Sequence, residues 1–347
     1  MDFYNKTEAT IISGIAIVLM LIHHFFGFPE YLVNNNEYSY AFAFKDISIP
    51  RLLAAFGKIC VGLFAFNSGY VLWKKSSEYN DYKRIMIRGG QFLSSYWIIC
   101  ILFICYAIIA NEKTPNFHDL LLNLFGINTD PSAPYVNVAF AWYVSFYLFW
   151  LVISPVLLYI FKRTKHTLSD ILLLFVFCLA IKLLIKHVPL CYFIYPLGIS
   201  VSGLLCAKYI LFERLSQQIK LNWWSALTIV IVIIFVRQGL LLINLYHIGF
   251  EDGLFSFIFI FTLISVFHRY KLSKIKTFML LLGSYSMNIW YLHGIFFTGD
   301  RPLQWILYYP HYWILIILWG IILLLPVAMI CKYLQQPLTQ MISKFSK

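Results

Sequence analysis

Apolar runs of about 20 residues, separated by short polar stretches, recur from one end of the chain to the other. Ten segments stand out, at 10–28, 52–73, 90–110, 140–161, 170–187, 190–210, 223–243, 251–267, 278–298 and 313–334. About 20 apolar residues at the helical rise match the ~30 Å hydrocarbon core of a bilayer. The short polar/apolar alternation of barrel strands is missing from these runs. The pattern therefore predicts an all-α integral membrane protein, a bundle of about 10 transmembrane helices forming a single polytopic domain over residues 1–347 with no separate soluble domain. Lys182, Lys186 and Pro189 make the fifth segment the least regular. Pro155, Pro196 and Pro326 fall inside segments and are expected to kink or break them. The first run is followed by Pro29-Glu30 with no small-residue cleavage site, which reads as a retained span rather than a removed signal.

Composition agrees: 61% of the 347 residues are hydrophobic and 12% charged, where a soluble domain would carry about 25% charged residues. The seven cysteines lie in or beside apolar segments without metal-ligand spacing, so neither a metal nor disulfides are expected. A net charge of +12 raises the question of nucleic acid. Its distribution answers otherwise. Nineteen of the 27 Lys and Arg residues fall at the N-terminus, in alternate loops or in the tail; Lys45, Arg51, Lys113 and Arg301 are the loop cations on the other side. The positive-inside rule places both termini in the cytoplasm and makes the protein multi-pass, with the lipid bilayer as its surroundings.

Ionisable residues within spans are costly and usually face a bundle interior. His23 and His24 follow the apolar run Ile15–Ile22 in the outer half of the first segment, and Lys58, Arg237 and His293 reach similar depth on the second, seventh and ninth. These groups are expected to converge on one cavity. The alternative for Lys58 and Arg237 is snorkelling to the outer head groups. Adjacent helical residues point about 100° apart, so one histidine of the pair faces a given cavity; His24 is the favoured base and His23 the fallback. Asn67-Ser68-Gly69-Tyr70 near the cytoplasmic end of the second segment suits either helix packing or close approach of a ligand. Arg84 and Arg88, at i and i+4, share a helix face at the cytoplasmic mouth and suit a phosphate-rich ligand or anionic lipid equally. The stretch Gly283-Ser-Tyr-Ser-Met-Asn288-Ile-Trp-Tyr-Leu-His293 is too polar for a lipid-facing helix.

Four ordered blocks resemble the membrane acyltransferase-3 family. They are Gly14-Ile-Ala-Ile…His23-His24-Phe-Phe; Gly62-Leu-Phe-Ala-Phe-Asn-Ser-Gly-Tyr70 with the basic stretch Arg84…Arg88; Trp142-Tyr143-Val-Ser145; and Ser284-Tyr-Ser-Met-Asn-Ile-Trp-Tyr-Leu-His293. The resemblance implies acetyl-CoA as a cytoplasmic co-substrate, no permanently bound cofactor, and a cell-surface or lipid-linked glycan as acceptor, in the plasma membrane of a bacterial cell. It implies a catalytic first-span histidine and donor phosphates on Arg84 and Arg88. From the residues themselves, Ser68, Gly69 and Tyr70 are expected beside the donor, Lys58, Arg237 or His293 are expected to stabilise the oxyanion or orient the acceptor, and Asn288 is expected at the acceptor as well. Where the family has a basic residue eleven positions before the histidine, this chain has Ser13 relative to His24 and Ile12 relative to His23. Two other readings fit the same pattern: a transporter or flippase of a lipid-linked saccharide, and a noncatalytic scaffold on the same fold.

Overall fold

The computed structural model describes residues 2–28, 32, 38–39, 43–44, 47–78, 82–109, 117–125, 127, 142–188, 193–242, 250–297 and 303–344. Lys45, Lys113, Pro189, Cys191 and Arg301 lie outside the described residues. In chain order the helices are α1 (Lys6–Phe26), α2 (Ile49–Gly57), α3 (Ile59–Lys74), α4 (Tyr82–Ile109), α5 (Phe117–Leu124), α6 (Trp142–Arg163), α7 (Thr167–His187) and α8 (Leu197–Lys208). There follow α9 (Leu211–Gln218), α10 (Trp223–Leu242), α11 (Phe250–Arg269), α12 (Ser273–Ser284), α13 (Ser286–Leu292), α14 (Gln304–Tyr308) and α15 (Trp313–Lys344). Two short strands, β1 (Ala43–Phe44) and β2 (Ile47–Ser48), pair antiparallel with Phe44 opposite Ile47. The protein is an all-α membrane bundle.

Among the described residues, eight helices are long and apolar enough to cross a membrane: α1, α2 with α3, α4, α6, α7, α10, α11 and α15. The irregular fifth segment forms the unbroken α7. The sixth and ninth segments differ from the expectation. The sixth yields the 12-residue α8, which starts only after Pro196 at its N-cap, since proline suits a helix start and not an interior. Pro155 and Pro326 are accommodated within continuous helices. The ninth is divided: α12 ends at Ser284, Tyr285 interrupts it, and a 3-10 turn over His293–Phe297 follows α13. The second segment breaks at Lys58, between α2 and α3.

The chain groups into two compact units. The first comprises Met1–Met20, Ala55–Ser77 and Ser154–Ser284. Here α1 begins with a capping box: Asn5 Oδ1 accepts from the Thr7 N–H at 2.7 Å, and Glu8 Oε2 accepts from the Asn5 N–H at 3.2 Å. The core is built on α3, α8 and α11, whose backbones meet across glycines. A Cβ on Gly69 would lie 1.6 Å from the Ser200 carbonyl oxygen, and one on Gly203 2.1 Å from that of Phe66. Gly14 and Gly283 make the same kind of contact, with Met279 and Thr10. Without a hydrophobic driving force in lipid, such close approach maximises dispersion contact and holds helices together. By contrast α7 and α10 expose Leu172, Phe175, Val176, Leu179, Val232 and Phe235, the surface a lipid-facing helix presents.

The second unit comprises Leu21–Ala54, Glu78–Ile153 and Tyr285–Lys347. Here α4, α13 and α15 are tied by a buried amide network. Gln335 Nε2 donates to Asn288 Oδ1 at 3.2 Å, Asn288 Nδ2 donates to the Ala328 carbonyl at 3.0 Å, and Ser95 Oγ donates to Gln335 Oε1 at 3.0 Å. Each polar group thereby finds a partner where an unsatisfied one is costly.

Candidate active site

Three imidazoles come together in the second unit. The His24 ring lies 4.8 Å from the His23 ring and 4.8 Å from the His293 ring, centroid to centroid. Phe28 stacks on His24 at 5.7 Å and meets His23 edge-on at 5.1 Å. His24 and His293 are buried, and His23 is half-buried. Local structure explains the grouping. His23 and His24 occupy the last turn of α1, and His293 stands at the switch from α13 to the 3-10 turn.

Main-chain carbonyls fix two of these rings. His23 Nδ1 donates to the Ala54 carbonyl at 2.8 Å, and His293 Nδ1 to the Trp290 carbonyl. Ala54 lies in the last turn of α2, where the break at Lys58 leaves carbonyls without regular helical partners. A carbonyl only accepts, so each Nδ1 carries a proton, and in the neutral form of either ring the lone pair is on Nε2. Beside them the Tyr308 hydroxyl donates to the Phe25 carbonyl at 2.5 Å. Burial, with Tyr38 adding to it, raises the Tyr308 phenol above its ordinary value and keeps it a donor. Such a histidine cluster can accept and return a proton near neutral pH.

In the first unit, Arg237 is fully buried. Its Nε donates to Asp252 Oδ1 at 3.0 Å and its Nη1 to the Ala55 carbonyl at 3.0 Å. Arg237 thus does not snorkel; it is held inside by a carboxylate from α11. Lys58 stands within electrostatic reach of both charges. The sequence reading missed Asp252, which looked like an ordinary acid in a helix first turn. Removing one member of a buried pair strands the other's charge at a cost of about 3–5 kcal/mol. Asp252→Ala is therefore expected to lower thermal stability sharply, and Arg237→Met with Asp252→Leu to recover most of the loss. Equal stability of Asp252→Ala and wild type in a melting experiment would disprove the pairing.

The remaining candidates have other neighbours. Ser68 Oγ donates to the Phe64 carbonyl of its own helix, the backbone that meets Gly69 is that of Ser200, and Tyr70 packs edge-on against Tyr4 at 4.9 Å. Of the two readings of that stretch, packing is the one its contacts describe. Asn288 belongs to the amide network described above. Arg84 is exposed, and half-buried Arg88 donates through Nη2 to Glu78 Oε2. Ala54, Phe28 and Gln335 carried no signal in the sequence, and Trp290 stood out only as part of the polar stretch before His293, because Ala54 and Trp290 act through backbone carbonyls.

No curated protein and no solved structure matches the chain. The acyltransferase-3 family model, described as an acyltransferase domain, matches residues 11–334. That match takes in both histidine-bearing segments and every helix from α2 to α14, and the chain belongs to the membrane acyltransferase-3 family.

Proposed function

We propose that this acyltransferase moves an acetyl group from cytoplasmic acetyl-CoA to a hydroxyl of an extracytoplasmic or lipid-linked polysaccharide. The contact of His24 with His23 and His293 carries this reading. The acceptor oxygen attacks the thioester carbon while the His24 imidazole takes the hydroxyl proton. The C–S bond breaks, and the imidazolium returns its proton to the CoA thiolate. His293, its ring fixed at Trp290, orients His24, and His23 is the second candidate for the same role. The Lys and Arg distribution supports cytoplasmic termini, which puts Arg84 and Arg88 on the donor's side; a bacterial plasma membrane is the setting we infer for this reaction.

Arg88 already has a carboxylate partner, so donor phosphates would compete with Glu78 for it. Arg88→Ala is expected to weaken CoA binding about tenfold, as loss of one charge-assisted contact does. Glu78→Gln is expected to strengthen it, most at low salt. Calorimetric titration with CoA checks both, and unchanged affinity in both variants would remove Arg88 from the donor site. The activity itself is tested by NMR of O-acetyl groups on the host's surface polysaccharide, in wild-type and deletion cells. Loss of one acetyl signal in the deletion supports the transferase and identifies the sugar. An intact signal with less polysaccharide would favour the transporter reading.

A further inference from the structure

A base that activates a sugar hydroxyl activates water as well. Water on the thioester gives acetic acid and free CoA, so a transferase has to keep it away from the imidazole. Phe28 is placed to do this, in the same unit as the three histidines. Its ring lies nearly parallel to that of His24, at 16° and 5.7 Å between centroids. It stands edge-on to His23, at 68° and 5.1 Å. Both separations are within the contact range of aromatic pairs.

Local structure puts the ring there. Phe28 is one turn beyond His24, at the i+4 spacing that brings helical side chains together. The helical path holds past Phe26, since the Gly27 N–H donates to the His23 carbonyl at 2.9 Å. A Cβ on Gly27 would lie 2.4 Å from that carbonyl oxygen and 3.4 Å from His23 Nδ1, so the turn is tight enough to favour glycine. Side chains on a helix lean toward its N-terminus, which lays the Phe28 ring back over the imidazoles. Gly27 is exposed and Phe28 half-buried, whereas His24 keeps only 8% of its surface open. In the orientation that the Lys and Arg distribution supports, α1 runs outward, and Phe28 is then on the extracytoplasmic side of His24.

We propose that Phe28 makes the protein selective for a sugar hydroxyl over water, its ring shielding the outer side of the His24 imidazole until the acceptor arrives. This rests on the acyl-transfer reading above, with His24 as the base. A glycan brings apolar C–H groups that can take the place of the phenyl ring at little cost in buried area, and a lone water brings none. In the side reaction that the ring suppresses, a water oxygen bonds to the thioester carbon while His24 takes one of its protons. The C–S bond breaks, and the imidazolium returns that proton to the CoA thiolate, leaving acetic acid.

The test uses the full-length protein in nanodiscs, with acetyl-CoA and glycan prepared from cells lacking the protein, and NMR to measure acetate and glycan-bound acetyl together. Phe28→Ala is expected to raise the ratio of acetate to glycan-bound acetyl by about tenfold, the low end of what one apolar contact contributes to discrimination. Phe28→Trp keeps the wild-type ratio. Adding His24→Ala to Phe28→Ala removes the gained acetate, because water uses the same base. A wild-type ratio in Phe28→Ala, whatever the absolute rates, reduces Phe28 to a packing residue and overturns the proposal while leaving acyl transfer standing. A gain in acetate that survives His24→Ala overturns it too, since water then reaches the thioester without that imidazole. Should Phe28→Ala melt too low to assay, Phe28→Leu is judged by the same ratio. No release of CoA thiol by wild type in the presence of glycan sinks the acyl-transfer reading, and this proposal with it.

Discussion

Replacing His24 with alanine is expected to cut acyl transfer by about 10²- to 10⁴-fold, the usual loss when a positioned general base is removed. Protein level and melting temperature should change little, because α1 is anchored elsewhere by its capping box and by the Gly14 contact with Met279. His23→Ala tests a different contact. It removes the hydrogen bond to Ala54, worth about 1 kcal/mol of stability, and should cost activity less than His24→Ala. Rates measured on purified protein, with CoA thiol release as the readout, separate the two. A dead His23→Ala beside a working His24→Ala would transfer the base to His23. Full activity in both would remove imidazole from the mechanism altogether.

Gly69→Ala should be the most damaging single-methyl change in the first unit. The added carbon would lie 1.6 Å from the Ser200 carbonyl oxygen, and the atom in its way is backbone, which no rotamer change can move. Overpacking a core costs about 1–3 kcal/mol where side chains can adjust, and this site should reach or exceed the top of that range. The corresponding fall in melting temperature is on the order of 10 °C. Gly203→Ala meets the Phe66 carbonyl across the same interface and should behave alike. Gly239→Ala supplies the contrast: nothing lies within 4 Å of its Cβ position, and alanine favours a helix interior by about 0.5–1 kcal/mol. Fluorescence-detected melting in detergent measures all three. A Gly69→Ala protein as stable as Gly239→Ala would mean that α3 and α8 do not pack as described.

Much of the bundle was legible because a membrane span is written in composition: the runs that became α1, α4, α6, α7, α10, α11 and α15 need only length and apolarity. The interruptions were harder to read. Lys58 and Tyr285 each divide a helix and Pro196 delays the start of one, yet a run of apolar residues continues on both sides of them. The histidines were visible as polar residues on an apolar background; the expectation grouped them with Lys58 and Arg237, and the three rings meet in the second unit while Lys58 and Arg237 belong to the first. Asp252 was not visible in this way, since an acid in the first turn of α11 satisfies a helix dipole without any partner. The Ser68-Gly69-Tyr70 stretch suits a ligand or a neighbouring helix equally in sequence, and the contacts it makes in three dimensions are with neighbouring helices.

The rings of His23 and His293, and one N–H of the Arg237 guanidinium, each meet a main-chain carbonyl oxygen. Every amino acid carries that oxygen, so the identity of residues 54, 55 and 290 is nearly irrelevant to these contacts. A mutational scan would find half-buried Ala55 more permissive than fully buried Ala54, and variation there would look like drift, although its carbonyl holds a guanidinium. What selection can act on is the path of the chain: the helix end at Gly57 and the turn at His293 are the heritable parts of this geometry.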